Sequence, residues 1–262
     1  MFDVPPGIRN LIGAEKYSVD NVGMSHSTVV LFDDKILKIQ NIGEESDNEY
    51  RMMKWLRGRL PVPKVLGFDR DDKKSYLLMT RVPGEMSCSD RYMKDPEKLT
   101  AMLAEGLQML WDVDVGGCPC RWNLDKKLRI AEHAVKNHLV NADEAEPDTF
   151  GANGFQNPEH LLEWLIKNKP EEETVLSHGD FCLPNIFLNE GRVSGFIDLG
   201  MTGTADKWQD IALCYRSLLH NFGGKSTGRK YPGFSENMLF DRLGIKPDWD
   251  RLRYYILLDE LY

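Results

Sequence analysis

The sequence predicts an α+β chain of two unequal lobes, a small antiparallel β lobe followed by a larger, mainly helical one. Three observations carry this expectation. β-Branched strand patterning is concentrated before Arg81, the run Arg81-Val82-Pro83-Gly84 breaks the pattern like a linker, and apolar residues recur at helical spacing from Pro96 onward. With 262 residues, 42% of them apolar, the chain is long enough to bury a substantial core.

In chain order, residues 28–32 (TVVLF) and 35–39 (KILKI) flank the pair Asp33-Asp34 and read as a β-hairpin, because β-branched residues surround a short turn. Residues 49–60 place Tyr50, Met53, Leu56 and Leu60 at helical spacing and stop at Pro61. Short strands at 65–68 and 75–80 complete the small sheet, so the first lobe spans 1–82 and the second 83–262. Helical patterns then cover 96–113, 124–139, 158–168, 207–219 and 249–261. Strands at 185–188 and 193–197 are joined by Asn189-Glu190-Gly191-Arg192, with glycine where a positive φ is needed. No internal repeat is found, and the compositionally biased stretch is the acidic run 143–148 (DEAEPD). A β lobe, a hinge and a helical lobe give the layout of a two-lobed protein-kinase-like fold.

Composition narrows the function classes. Lys and Arg number 33 against 41 Asp and Glu, and the net charge of −8 excludes a nucleic-acid partner, which would call for a basic stripe. An acidic protein suits a cationic ligand, although the same charge also serves solubility. No apolar run approaches the ~20 residues of a membrane span. The opening MFDVPPGIRN lacks a secretory layout, so a cytoplasmic protein without membrane contact is expected. Five cysteines at irregular spacing make no disulfide framework, and the C-x-C of Cys118 and Cys120 is not a zinc spacing.

The chemistry is carried by His178-Gly179-Asp180, then Asn185 after four further residues, then Ile197-Asp198 across the hairpin. Phosphoryl transfer needs a carboxylate to orient the attacking hydroxyl and oxygen ligands for Mg²⁺, which assigns Asp180 to the first task and Asn185 and Asp198 to the second. The spacing matches the kinase loop H-R-D-x-x-x-x-N with Gly179 in place of arginine. His178 is expected to bond the loop backbone. Lys38 lies on the KILKI strand as a phosphate-binding lysine would, with Glu49, opening the next helix, as its ion-pair partner. Gly23-Met24-Ser25 stands where a phosphate-covering loop belongs but lacks G-x-G-x-x-G. Gly224-Lys225-Ser226-Thr227 resembles the end of a Walker A motif, but Leu219 occupies the place of its first glycine and a helical pattern precedes it.

The segments LSHGDFCLPNIFLNEGRVSGFIDLG, ADKWQDIALCYRS and LGIKPDWDRLRYYILLDELY, with LPVPKVLGF and GMS, resemble the aminoglycoside O-phosphotransferases, and within them the 3′ class of resistant bacteria. The resemblance covers nearly the whole chain. It implies an ATP site between the lobes, with Lys38 on the α- and β-phosphates, Glu49 holding it, and Ser25 over the β-phosphate. The backbone of Thr80 and Val82 would read the adenine edge, and Phe187 and Ile197 would pack against the base. An aromatic residue common in the family at the base is replaced here by Ile36, which loosens the preference for ATP over GTP. The resemblance also implies a drug pocket made by Asp180, Glu144, Glu146, Arg216, Asp259, Glu260 and the carboxylate of Tyr262, in a monomer or weak dimer. Where the family pattern continues from IDLG into arginine, this chain has Met201. Kinases of choline or macrolide type share the core motif, as would a non-catalytic nucleotide-binding module.

Overall fold

The computed structural model describes residues 4–20, 27–143, 145–152 and 154–262. A five-stranded antiparallel sheet joins β1 (Ser18–Asp20), β2 (Thr28–Leu31), β3 (Lys35–Asn41), β4 (Val65–Arg70) and β5 (Lys74–Thr80) in the order β1-β2-β3-β5-β4. The expected hairpin forms with Val29 opposite Lys38, and Lys38 stands opposite Leu77 of β5. Alternation along β3 sorts its side chains. Leu37 is buried with Ile8 of α1 (Pro6–Ile12) and Leu78, whereas Ile36 packs toward the helical lobe.

The helix α2 (Glu44–Leu56) crosses that second face. It begins at Glu44, not at Glu49 as the apolar spacing suggests. Glu44, Glu45 and Asp47 fill the first turn, where acidic side chains favour the positive end of a helix, and Gly43 N donates to Ser46 Oγ at 3.0 Å. Periodicity cannot see a polar first turn, so Glu49 lies inside the helix instead of opening it.

Beyond the linker, Gly84 has φ +97° and passes so near β8 (Ile186–Asn189) that a Cβ would meet the Leu188 carbonyl at 2.2 Å. β6 (Glu85–Met86), β8 and β9 (Arg192–Phe196) form a three-stranded sheet, and β7 (Thr174–Ser177) pairs with β10 (Gly203–Asp206). The helices are α3 (Asp90–Met93), α4 (Pro96–Trp111), α5 (Leu124–Lys136), α6 (Pro158–Lys167), α7 (Lys207–Gly223), α8 (Met238–Leu243) and α9 (Trp249–Asp259). Each long helical pattern read from the sequence has its helix, with ends displaced. Asn185, expected at the start of a strand, closes a short 3-10 turn instead, which aims its side chain sideways into the loop.

The main core runs through both lobes, from Met52, Leu56 and Leu77 to Leu103, Phe196 and Leu218, all buried. Each such side chain contributes about 1.5–3 kcal/mol. No helix among the described residues is long and apolar enough to cross a membrane.

Candidate active site between the lobes

β7 ends at Ser177, and the chain then turns through His178, Gly179 and Asp180. That turn is held by α7. Asp210, fully buried, accepts from Ser177 Oγ (3.0 Å) and Gly179 N (3.0 Å) with Oδ1, and from His178 N (2.7 Å) with Oδ2. Burial raises its pKa, and these donors oppose the rise. Thr202 Oγ1 donates to His178 O at 2.8 Å and Gln209 Nε2 to Gly179 O at 2.8 Å, so the backbone groups of the turn are met from outside it.

The His178 ring is a brace. Its Nε2 lies 2.9 Å from Ile197 O, and its Nδ1 accepts from Asp180 N at 3.3 Å, an arrangement satisfied by a neutral ring with the proton on Nε2. Burial lowers its pKa, which keeps it neutral. Gly179 has φ +88°, and a Cβ there would stand 2.2 Å from Met201 O. The arginine of the kinase pattern therefore has no room at this position.

Asp180 faces Asn185, whose Nδ2 donates to Asp180 Oδ2 (2.8 Å) and Asp180 O (3.0 Å). Burial pushes the Asp180 carboxyl up to about 6, with Asp259 and Asp198 adding to the rise. Ile197 N donates to Asn185 O at 3.0 Å, which places Asp198 beside the same volume. Asp198 sits in the left-handed region at φ +59°, a conformation unusual outside glycine and frequent at functional turns. Its Oδ1 lies 2.9 Å from Lys38 Nζ, which also lies 2.9 Å from Glu49 Oε2. Burial pulls the Lys38 pKa down, but Glu49 and Asp198 outweigh it and hold the ammonium above its ordinary value. Asn48, buried on the same helix as Glu49, donates to Gly200 O (2.9 Å) and Thr202 O (2.7 Å) and ties α2 to the loop after Asp198.

At the hinge, Thr80 N donates to Lys64 O and Thr80 Oγ1 accepts from Lys64 N, both at 2.9 Å. A depression of about 350 Å³ is lined there by Thr80, Val82, Pro83, Lys64 and Ser194. Phe187 and Ile197 are half-buried. Ser25 and Glu144 lie outside the described residues.

On the other side of Asp180, the expected drug-binding acids are already paired. Arg216 of α7 bonds Asp259 and approaches Glu260 Oε1 at 3.5 Å, so its guanidinium stands among the carboxylates expected at the drug site. Glu260 Oε2 accepts from Glu146 N at 3.2 Å. Glu146 meets His220 Nε2 and Lys225 Nζ, each at 2.7 Å. Burial pushes the Glu260 carboxyl up to about 7. Tyr262 is 42% exposed. Gly224 caps α7 in a left-handed conformation and Lys225 binds Glu146, so the Gly-Lys-Ser-Thr run is a helix end and no phosphate loop.

A profile of the phosphotransferase enzyme family matches residues 16–255. The chain belongs to this family. This phosphotransferase is 39% identical over 272 residues to an aminoglycoside 3′-phosphotransferase of Enterococcus faecalis, covering 99% of this chain and 98% of that protein. It is 38% identical over 275 residues to the aminoglycoside 3′-phosphotransferase of Staphylococcus aureus, with the same coverage of 99% and 98%. A solved 3″-class aminoglycoside phosphotransferase from Streptomyces rimosus matches its fold with a TM-score of 0.82 at 25% identity, covering 97% of this chain and 96% of that one. Another structure of that enzyme holds ADP and streptomycin. The kinase-like, two-lobed α+β fold read from the sequence is the fold of this phosphotransferase.

Sequence reasoning missed Asp210, Asn48, Thr202 and Gln209. Asp210 stands inside the ADKWQDIALCYRS segment that carried the resemblance, but no spacing rule links it to a turn 31 residues away.

Proposed function

We propose that this phosphotransferase moves the γ-phosphoryl group of ATP to a hydroxyl, the 3′-hydroxyl, of kanamycin- and neomycin-type aminoglycosides, and so confers resistance to them. The observation that carries the reading is the continuous set of contacts Glu49–Lys38–Asp198 beside His178–Asp180–Asn185, which joins the small lobe to the catalytic turn. Lys38, steadied by Glu49, holds the α- and β-phosphates. Thr80 and Val82 offer backbone to the adenine edge, Phe187 and Ile197 pack against the base, and Ser25 covers the phosphates. With Ile36 in place of a ring, GTP serves beside ATP.

Asp180 orients the acceptor hydroxyl and takes its proton. With a pKa of about 6 it is largely ionised at neutral pH yet basic enough for the task. Asn185 and Asp198 fit a Mg²⁺ ion. Both amide protons of Asn185 are spent on Asp180, which leaves its Oδ1 as the free oxygen, and Lys38 engages the Oδ1 of Asp198 and leaves the other oxygen. Among the described residues no cluster of His, Cys, Asp or Glu is built to hold a metal. A site of few protein oxygens suits Mg²⁺, which keeps waters and binds substrate phosphates. When bound, the ion neutralises phosphate charge; positioning by the residues above supplies the rest.

Glu144, Glu146, Asp259, Glu260 and Tyr262 surround the drug's ammonium groups, with Arg216 beside them at the substrate. The protein acts in the cytoplasm as a monomer or weak dimer. An ATP-consumption assay with kanamycin, neomycin, choline and erythromycin tests the reading. Turnover with the aminoglycosides is expected. Turnover with choline or erythromycin instead, or with none of the four, would overturn it.

A further inference from the structure

A concavity of about 360 Å³ lies beside α2, apart from the residues of the proposed active site: none of Lys38, Glu49, Asp180, Asn185 and Asp198 is among the described residues that line it. One wall is the C-terminal half of α2, and the other is the chain that leads from there into β4. The floor is apolar, with Met53, Leu60 and Pro63 buried in it. The rim is cationic, formed by the exposed residues Lys54, Arg57 and Lys64. No Asp or Glu lines the concavity among the described residues, although the chain holds 41 of them and carries a net charge of −8.

None of these cations meets a carboxylate among the described residues; Lys54 Nζ reaches only the Tyr50 hydroxyl, at 3.5 Å. Elsewhere in the small lobe cations do find acids, as Arg70 finds Asp47 at 3.0 Å and Lys35 finds Glu15 at 2.7 Å. Lys54 and Arg57 stand at the end of α2, where a cation complements the helix dipole. That accounts neither for Lys64, which follows the helix, nor for the missing acids. The walls are also set before anything binds. Tyr50 stacks on Phe68 with ring centroids 4.1 Å apart, Pro61 O accepts from Phe196 N at 2.9 Å, and the Lys64 backbone is bonded to Thr80. A preformed wall lowers the ordering cost of an occupant.

We propose that this concavity is a binding site for a small amphipathic anion, an apolar body carrying a carboxylate or sulfonate. The body lies on Met53, Leu60 and Pro63, and the acidic group meets Lys54, Arg57 and Lys64. Arg57 offers a guanidinium fork that suits two oxygens of one acid. The volume is at the lower end for small-molecule sites, whose usual make-up is an apolar interior with a few convergent polar groups. A polycationic drug is repelled by this rim, so the site takes the opposite class of ligand from the acceptor pocket and does not rest on the aminoglycoside reading.

Anilinonaphthalene sulfonate, an apolar ring system with one anionic group, is the probe. Its fluorescence is titrated on the whole protein with saturating Mg²⁺ and ATP present to fill the nucleotide site, and binding with one-to-one stoichiometry is expected to persist. Phenylnaphthylamine, which lacks the sulfonate, is expected to bind about tenfold more weakly. In the double variant Lys54→Glu with Arg57→Glu, the Kd for the probe is expected to rise by about tenfold or more, with nucleotide affinity unchanged. Absence of binding, displacement of the probe by ATP, or the same Kd in that variant overturns the proposal. Should the double variant fail to fold, Lys54→Gln with Arg57→Gln is read in the same way, and an unchanged Kd there is equally fatal. Failure of the antibiotic assay leaves these titrations untouched, so the two readings fall separately.

Discussion

The two sides of Asp180 are built on opposite plans. On the proposed nucleotide side, the charged and polar groups meet one another: Lys38 with Glu49 and Asp198, Asn185 with Asp180, and three donors with the buried Asp210. Toward the acceptor, Arg216, His220 and Lys225 occupy the carboxylates on or near the surface. The first side is held by the protein's own contacts. The second holds the cations Arg216 and Lys225 where, in the proposed reading, a polycationic drug would put its own, so binding there would be an exchange of partners.

If that contrast is right, the largest loss of activity comes from Asp180→Ala, expected to reduce turnover by ~10² or more while nucleotide still binds; steady-state kinetics with a nucleotide titration measures both. Near-normal turnover would remove Asp180 from its role. The largest loss of stability comes from Asp210→Ala. It leaves Ser177 Oγ and His178 N without their acceptor, while Gly179 N keeps Ser177 Oγ, at about 1–3 kcal/mol for each orphaned group, so denaturant unfolding should show a loss of roughly 2 kcal/mol or more. Gly179→Ala follows, with about 1–3 kcal/mol of backbone strain and reduced turnover, since its Cβ would press on Met201.

The acceptor side should respond to pH. Glu260 has a folded pKa of about 7, above the ordinary 4.5, so the folded chain binds a proton that the unfolded chain has released between those values. Its contribution to stability therefore declines as pH rises from 4.5 to 7. Drug binding runs the other way, because only the ionised carboxylate attracts an ammonium. The KM for kanamycin should rise as pH falls below about 7, and Glu260→Gln should flatten that rise; a profile unchanged by the substitution would count against a drug contact. The smallest effect is expected from Glu146→Gln, which should alter the melting free energy by less than about 1 kcal/mol, as befits partly exposed ion pairs, yet raise the KM for the drug.

Much of the nucleotide side could be read in the sequence because its residues recur at fixed short spacings. His178, Asp180 and Asn185 share one loop, and Asp198 follows across a hairpin whose turn residues announce it. The hairpin bearing Lys38 was equally plain from its β-branched residues. What escaped is what tertiary contact alone creates. The Asp210 clamp joins a helix to a turn distant in the chain, and Asn48 joins α2 to a loop 152 residues away. Lys127 looks like one more surface lysine in the stretch LDKKL, and only its burial sets it apart. The start of α2 was misplaced because Glu44 to Asn48 contain no apolar residue to reveal the helical period. The partners of Arg216 were invisible for the same reason as the Asp210 clamp: charge alone does not say whether a neighbour or a ligand will meet it.

Asn48 bears on how such an enzyme can be governed. Its amide bolts the helix that carries Glu49 to the loop that carries Asp198, so swinging that helix outward, a common way to silence a kinase, would strip two buried bonds at once. A catalyst fastened in its working posture has no idle gear to be shifted from.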